Sequence, residues 1–418
     1  MTKSAKHTEV YSETAAGVIT PLDTRRLFPG VSEGIYMDVA SRGLIPTVGR
    51  IAIEKALDAR IRGTTDKAEL FETIERVRGR YARLINAAPD EIAFTKNVSD
   101  GINAVASAID WKPGDNVIVC PSLEHPTNIY PWINQKRRCG VEVRMIDDDR
   151  GHMPVEKMIA AISNRTRVVT ASLVSFAPGF KTDIAKLGAA CRHAGVLSVV
   201  DGAQGIGIVH LDMDRTPIDV LSVSTQKGLC AFYGLGFLYV RRAQAERLSP
   251  AYLSRFGVDI GDAHEAAADL ENYSLMPAAR RFEVGNYNYL GAIAVEPSLE
   301  ILGKIGTETI QRHVSTLTHD MVQKLLNAGI PVYGGPPGPH LVHIVALGSR
   351  IKPDHDENDT EINALARILR NAGVRFSVRH GMIRLSLHLY NNQDDVDRLV
   401  DVAQRWNRGR TTDAAPES

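Results

Sequence analysis

The chain has few cysteines, no surplus of either charge and no long apolar run, and each lack removes a class of protein. Its 418 residues hold four cysteines (Cys120, Cys139, Cys191 and Cys230), widely spaced and without a C-x-x-C pair. That argues against a zinc cluster or a disulfide framework and for a reducing compartment. Lys plus Arg is 49 and Asp plus Glu is 49, a formal net charge of zero. Such a balance speaks against a nucleic-acid binder that neutralises phosphates along a broad basic face. It leaves room for a local cationic pocket. No stretch approaches the roughly twenty apolar residues that span a bilayer. The polar start MTKSAKHTEV lacks the apolar region of a secretory signal. A cytoplasmic protein without membrane or nucleic-acid partners is expected. A dinucleotide-binding G-x-G-x-x-G is also missing, because GAQGIG at Gly202–Gly207 has other spacing.

What is present reads as α/β. Hydrophobic residues make up 44% of the chain, enough to rule out disorder as its main character. Strands are expected at Ile92–Thr95, Asn116–Cys120, Glu142–Ile146, Val168–Leu173, Val196–Asp201, Val220–Ser224 and Phe237–Arg241. Helical patterns at Asp100–Ala108, Val155–Ile162 and Ile184–Ala194 lie between several of them. Apolar strands alternating with helices imply a mostly parallel sheet sandwiched by helices. The last strand pair, joined through a Gly-rich turn, has the option of running antiparallel. After about Tyr289 the pattern becomes a smaller α+β layer: helices at Ala292–Leu302 and Thr309–Asn327, short strands near Leu341–Leu347 and Ile383–Leu387, and a helix at Asp394–Trp406. The acidic stretch Asp354–Asp359 reads as a solvated loop. The expected division is a flexible arm (1–20), a segment packing with the small domain (21–38), a large domain (39–290), a small C-terminal domain (291–408) and a flexible tail (409–418).

In an open parallel sheet, ligands gather beyond the carboxyl ends of the strands. After IAFT, Asn97 or Ser99 caps a helix whose free N–H groups suit a phosphate. After NVIVC comes His125, able to stack on a planar ring. Asp201 ends VLSVVD, where a buried carboxylate needs a partner such as a protonated heterocyclic nitrogen. Lys227, in STQKG, follows VLSVS, 26 residues beyond Asp201 and at the same sheet edge. A lysine in such a pocket loses its proton and forms Schiff bases. Phosphate site, stacking ring, acid and amine together are what pyridoxal 5′-phosphate requires.

On FTKNVSDGINAVA, SLEHPTNIYPW, VVDGAQGIG, SVSTQKG, GLGFLYVRR, RFEVGNYNY and IRLSLHLYNNQDDVDRL, the chain resembles the fold-type I pyridoxal-phosphate enzymes of the class V aminotransferase family. That family includes cysteine desulfurases and isopenicillin N epimerase-like proteins. The resemblance runs from about Ile35 to Trp406. It implies that Asn97, Val98, Ser99, Ser224 and Gln226 hold the phosphate. His125 would stack on the ring, Asp201 pair with the pyridine nitrogen, Gln204 reach the phenolic oxygen and Lys227 form the Schiff base. Asn286 stands where relatives reach the phosphate of a neighbouring subunit's cofactor, which implies a homodimer with shared sites. An α-amino acid substrate would meet Arg384 through its carboxylate, with Arg379, Ser41, Arg42 and Asn128 also lining its pocket. Tyr130, Trp132, Phe176 and Tyr287 are further pocket candidates.

Cysteine desulfurases of this type carry a cysteine on the loop before the carboxylate arginine, and the segment Arg375–Ile383 has none. Gln226 also replaces a His common before the lysine. The expectation is therefore a transaminase, with β-elimination or epimerisation as alternatives, a non-catalytic scaffold behind these, and persulfide-forming desulfuration excluded.

Overall fold

Six of the strands that carry the main sheet are buried along their whole length or nearly so, because they are short apolar runs covered on both faces. The computed structural model describes residues 20–261, 272–348 and 360–413. Strand β1 is Ile35–Tyr36, β2 Ile92–Thr95, β3 Asn116–Val119, β4 Glu142–Met145, β5 Thr166–Ser172, β6 Leu197–Asp201, β7 Val220–Ser224 and β8 Gly236–Val240. Then follow β9 Val258–Asp259, β10 Ser274–Leu275, β11 Ile344–Leu347, β12 Val374–Arg375, β13 Ser377–Arg379 and β14 Met382–Ser386.

The main sheet has seven strands in the order β2-β8-β7-β6-β5-β3-β4. All neighbours run parallel except β8, which is antiparallel to both β2 and β7. The β7–β8 turn is thus the antiparallel connection. Edge strand β4 is half-exposed and carries the Glu142–Arg144 ion pair, which suits a strand with one free side. Helices Val98–Ala108, Tyr130–Cys139 and Ile184–Ala194 bury one face each against the sheet. This α/β sandwich is the fold class expected.

A smaller antiparallel sheet, β11-β14-β13, is covered by helices Thr307–Asn327, Thr360–Asn371 and Gln393–Asp413. The last helix runs to Asp413, so the tail expected from 409 is helical at its start. Strand β1 pairs in parallel with β12, and Asp38 bridges to Ser386. The segment after β1 therefore lies between the two sheets. The expected boundary at 290/291 falls in the first turn of helix Tyr289–Ile305, which packs on helices Thr47–Ile61 and Lys67–Leu84. The acidic stretch Asp354–Asp359 lies outside the described residues, as do 1–19 of the arm. Among the described residues no helix is long and apolar enough to cross a membrane.

Candidate active site

The carboxyl ends of β2, β5, β6 and β7 open into one cavity of about 600 Å³. Its floor is set by two turns that nearly touch. A Cβ on Gly207 would lie 2.2 Å from the Gly228 carbonyl oxygen, and one on Gly228 would lie 2.2 Å from that of Ile206. Only glycines allow the turn after β6 and the turn after β7 to approach so closely. Asp201 and Lys227 are carried by these turns. From above, the Gly43 N–H donates to the Gln226 carbonyl at 2.8 Å, so the N-terminal segment closes over the lysine turn.

Asp201 is 4% exposed, and its Oδ1 accepts the Ala203 N–H at 2.8 Å. Burial pushes its carboxyl up, opposed by the Ala203 N–H and by Lys227. Burial pulls the Lys227 amine down to about 8, against the attraction of Asp201. Asn97 caps helix Val98–Ala108, its side chain accepting the Asp100 N–H at 2.9 Å. Val98, Ser99, Ser224 and Gln226 share this end of the cavity. His125 bonds Thr127 Oγ1 at 2.9 Å and meets Phe176 edge-on at 5.6 Å between centroids. Partial burial, then the charges of Lys227, Arg379 and Arg384, lower its basicity.

Arg384, 3% exposed on β14, donates through Nε to Ser377 Oγ (3.0 Å), through Nη1 to the Phe176 carbonyl (2.7 Å) and through Nη2 to Ser41 Oγ (3.0 Å). Each terminal nitrogen keeps one N–H, the fork a carboxylate takes. Burial and the neighbouring Arg379 lower its pKa to about 10. Arg379 and Arg42 line the same cavity.

Two expected site residues lie elsewhere. Asn128 is fully buried outside the cavity lining: its amide donates to Glu124 Oε2 at 2.8 Å and its carbonyl accepts the Thr170 hydroxyl at 2.7 Å. A braced core amide of this kind does not meet a substrate. Asn286 lines a second cavity of about 460 Å³, which adjoins the first at Ser99. Of the aromatic candidates Phe176 lines the main cavity, Trp132 is core, Tyr130 is exposed and Tyr287 faces the second cavity. Asp38, Thr127, Ser172, Tyr233 and Ser377 also line the main cavity. Asp38 in YMDVAS was readable as a lone acid between apolar residues; the others carry no distinctive local signal. No cysteine is in the lining. Cys120, Cys191 and Cys230 are buried and burial raises their thiol pKa values, while Cys139 ends helix Tyr130–Cys139.

The residues fit pyridoxal phosphate. Gln204 lines the cavity with its buried Oε1 lacking a donor, and the cofactor's phenolic group offers one. The volume suits a planar ring with its phosphate. No described group of His, Cys, Asp and Glu is arranged to hold a metal ion.

Residues 55–399 match the aminotransferase class-V family. A probable cysteine desulfurase of Methanothermobacter thermautotrophicus is 30% identical over 399 residues, covering 91% of this chain and 97% of its own. An uncharacterized aminotransferase of Bacillus subtilis is 27% identical over 91% of this chain and 96% of its own. The apo structure of a cysteine desulfurase from Thermococcus onnurineus superposes with a TM-score of 0.80 at 25% identity, covering 94% of this chain and all of that one. These relatives correct the exclusion of a cysteine desulfurase and the preference for transamination. The exclusion rested on one thiol missing from a nine-residue segment, whereas the similarity spans nearly the whole chain. The chain belongs to the aminotransferase class-V family of pyridoxal-phosphate enzymes.

Proposed function

We propose that the protein is a pyridoxal-phosphate-dependent cysteine desulfurase, removing sulfur from cysteine or a closely related β-thio amino acid. One observation carries the reading. Lys227, Asp201 and Arg384 converge on a single cavity in a chain 30% identical to a probable cysteine desulfurase along nearly its full length.

Bound there, pyridoxal phosphate supplies an aldehyde that condenses with amines and a ring that accepts electrons. The N–H groups of Val98 and Ser99 at the helix start bind the phosphate, with Asn97, Ser224 and Gln226 beside them. His125 would wall one face of the ring, and Gln204 would meet its phenolic oxygen. Asp201 holds a proton at the ring nitrogen. Lys227 would hold the aldehyde carbon and serve as the base at the substrate Cα; a basicity lowered to about 8 suits that role. Arg384 takes the substrate carboxylate, with Ser41, Arg42 and Arg379 around it. Phe176 and the closing segment at Gly43 exclude water from the lysine side.

In this reading a second copy of the chain completes the assembly, and Asn286, which lines the cavity adjoining the main one at Ser99, would reach the partner's phosphate.

The test is cysteine turnover. With no cysteine in the cavity lining, an added thiol is the sulfur acceptor: one thiol takes the sulfur as a persulfide and leaves alanine, and a second frees sulfide as the disulfide forms. Loaded enzyme given cysteine and excess thiol is expected to release sulfide and alanine together, and Lys227→Ala to release neither. Absence of sulfur release from both cysteine and cystine overturns the reading; pyruvate in place of alanine redirects it to elimination.

A further inference from the structure

Glu124 is a buried acid to which the chemistry above gives no task. It immediately precedes His125 and is 2% exposed. The Ser172 N–H donates to its Oε1 at 2.6 Å and the Ser172 hydroxyl to its Oε2 at 2.5 Å. Asn128 Nδ2 donates to Oε2 at 2.8 Å, and Asn128 is itself held by the Thr170 hydroxyl and the Trp132 indole N–H. The neighbouring charge is not a cation but the Asp201 carboxylate, and the Cys120 thiol lies beside it. Ser172 and Asp201 are register partners on β5 and β6, and Ser172, Asp201 and His125 all line the main cavity.

We propose that Glu124 is a positioning residue for the cofactor ring. It braces Ser172 and the His125 turn from behind, and its charge, felt through Asp201, sets how firmly the proton is held at the ring nitrogen.

Burial pushes the Glu124 carboxyl up to about 7, with the Ser172 and Asn128 donors pulling it down and Asp201 pushing it up. The network therefore passes from neutral to anionic close to neutrality. Ionised, Glu124 adds negative potential next to Asp201 and favours the protonated ring; neutral, it withdraws that support. The inference rests on Asp201 facing the ring nitrogen and is independent of the sulfur chemistry.

The experiment loads the parent, Glu124→Gln and Ser172→Ala with cofactor carrying nitrogen-15 in its ring. The ring-nitrogen NMR shift is then followed from about pH 5.5 to about pH 8.5, spanning the ordinary range of a raised carboxyl. The parent is expected to show an inflection near pH 7. Glu124→Gln abolishes it, and Ser172→Ala, which removes a donor to the anion, moves it upward by roughly one pH unit. An inflection that persists in Glu124→Gln, or is missing from a loaded parent, overturns the inference while the cofactor reading stands. Should Glu124→Gln not fold, an inflection unmoved by Ser172→Ala overturns it equally. Failure of the parent to load cofactor overturns both readings together.

Discussion

At the scale of single residues, the site depends on taking charges out of water. Lys227 illustrates this, since burial lowers its amine from the ordinary 10.5 to about 8. Only the neutral amine attacks an aldehyde, so the sign is fixed: the protonated form dominates below that value and the reactive form above it. Cofactor-free protein mixed with pyridoxal phosphate should attach it at a rate that climbs through about pH 8 and levels above, followed by absorbance. A climb that continues to pH 10 contradicts the burial. Arg384 gives the second residue-level prediction. Arg384→Ala should weaken amino acid binding by about 2–4 kcal/mol, the cost of losing charge-assisted bonds in a desolvated site. Cofactor absorbance should persist, and spectral titration with cysteine checks both. Lys227, Asp201 and Arg384 were legible in the sequence because each follows or ends a buried strand or sits in a distinctive motif. Asn128 was misplaced for the reverse reason: an amide near a strand end looks the same whether it faces ligand or core. Its burial is decided with Thr170, 42 residues on, as much as with Glu124 four residues before it.

At the scale of elements, the strands of the main sheet lie close to their expected spans, and in all but the half-exposed edge strand β4 burial on both faces writes a continuous apolar run. Helices were read less evenly. Thr47–Ile61 buries little besides Gly49 and so has no strong apolar stripe to read. Lys67–Leu84 does have a buried face, but Arg78 lies on it and breaks the pattern. That arginine is 1% exposed and pairs with Glu283, also 1% exposed, at 2.7 Å. Glu283 further accepts the Phe94 N–H at 2.8 Å and the Tyr287 hydroxyl at 2.7 Å, joining the helix to β2 and to the 278–287 segment. Glu283→Gln leaves the buried Arg78 charge with only the half-exposed Glu75, at 3.1 Å, as counter-ion. The expected loss is about 2–4 kcal/mol of stability, below the full cost of an unpaired buried charge, read by denaturant unfolding of the cofactor-free protein. A loss below about 1 kcal/mol would show the arginine finding water or another acceptor.

At the scale of the whole molecule, the proposed assembly is a pair of chains with each Asn286 serving the other's cavity. Sedimentation should give twice the mass of the chain, and Asn286→Ala should lower cofactor retention without altering a single chain's fold. A monomer at all working concentrations overturns the shared site. The mostly parallel sheet and the antiparallel option at the β7–β8 turn were readable within the sequence, whereas the order of the strands and the meeting of the two sheets were not. That meeting depends on pairings such as Ile35 with Val374 and on Asn391 donating to the Tyr36 carbonyl, contacts no local pattern announces.

Those pairings join opposite ends of the polypeptide, and translation makes the ends at different times. During synthesis, residues through β8 emerge well before β14, so Lys227 and Asp201 can settle together while the codons for Arg384 are still unread.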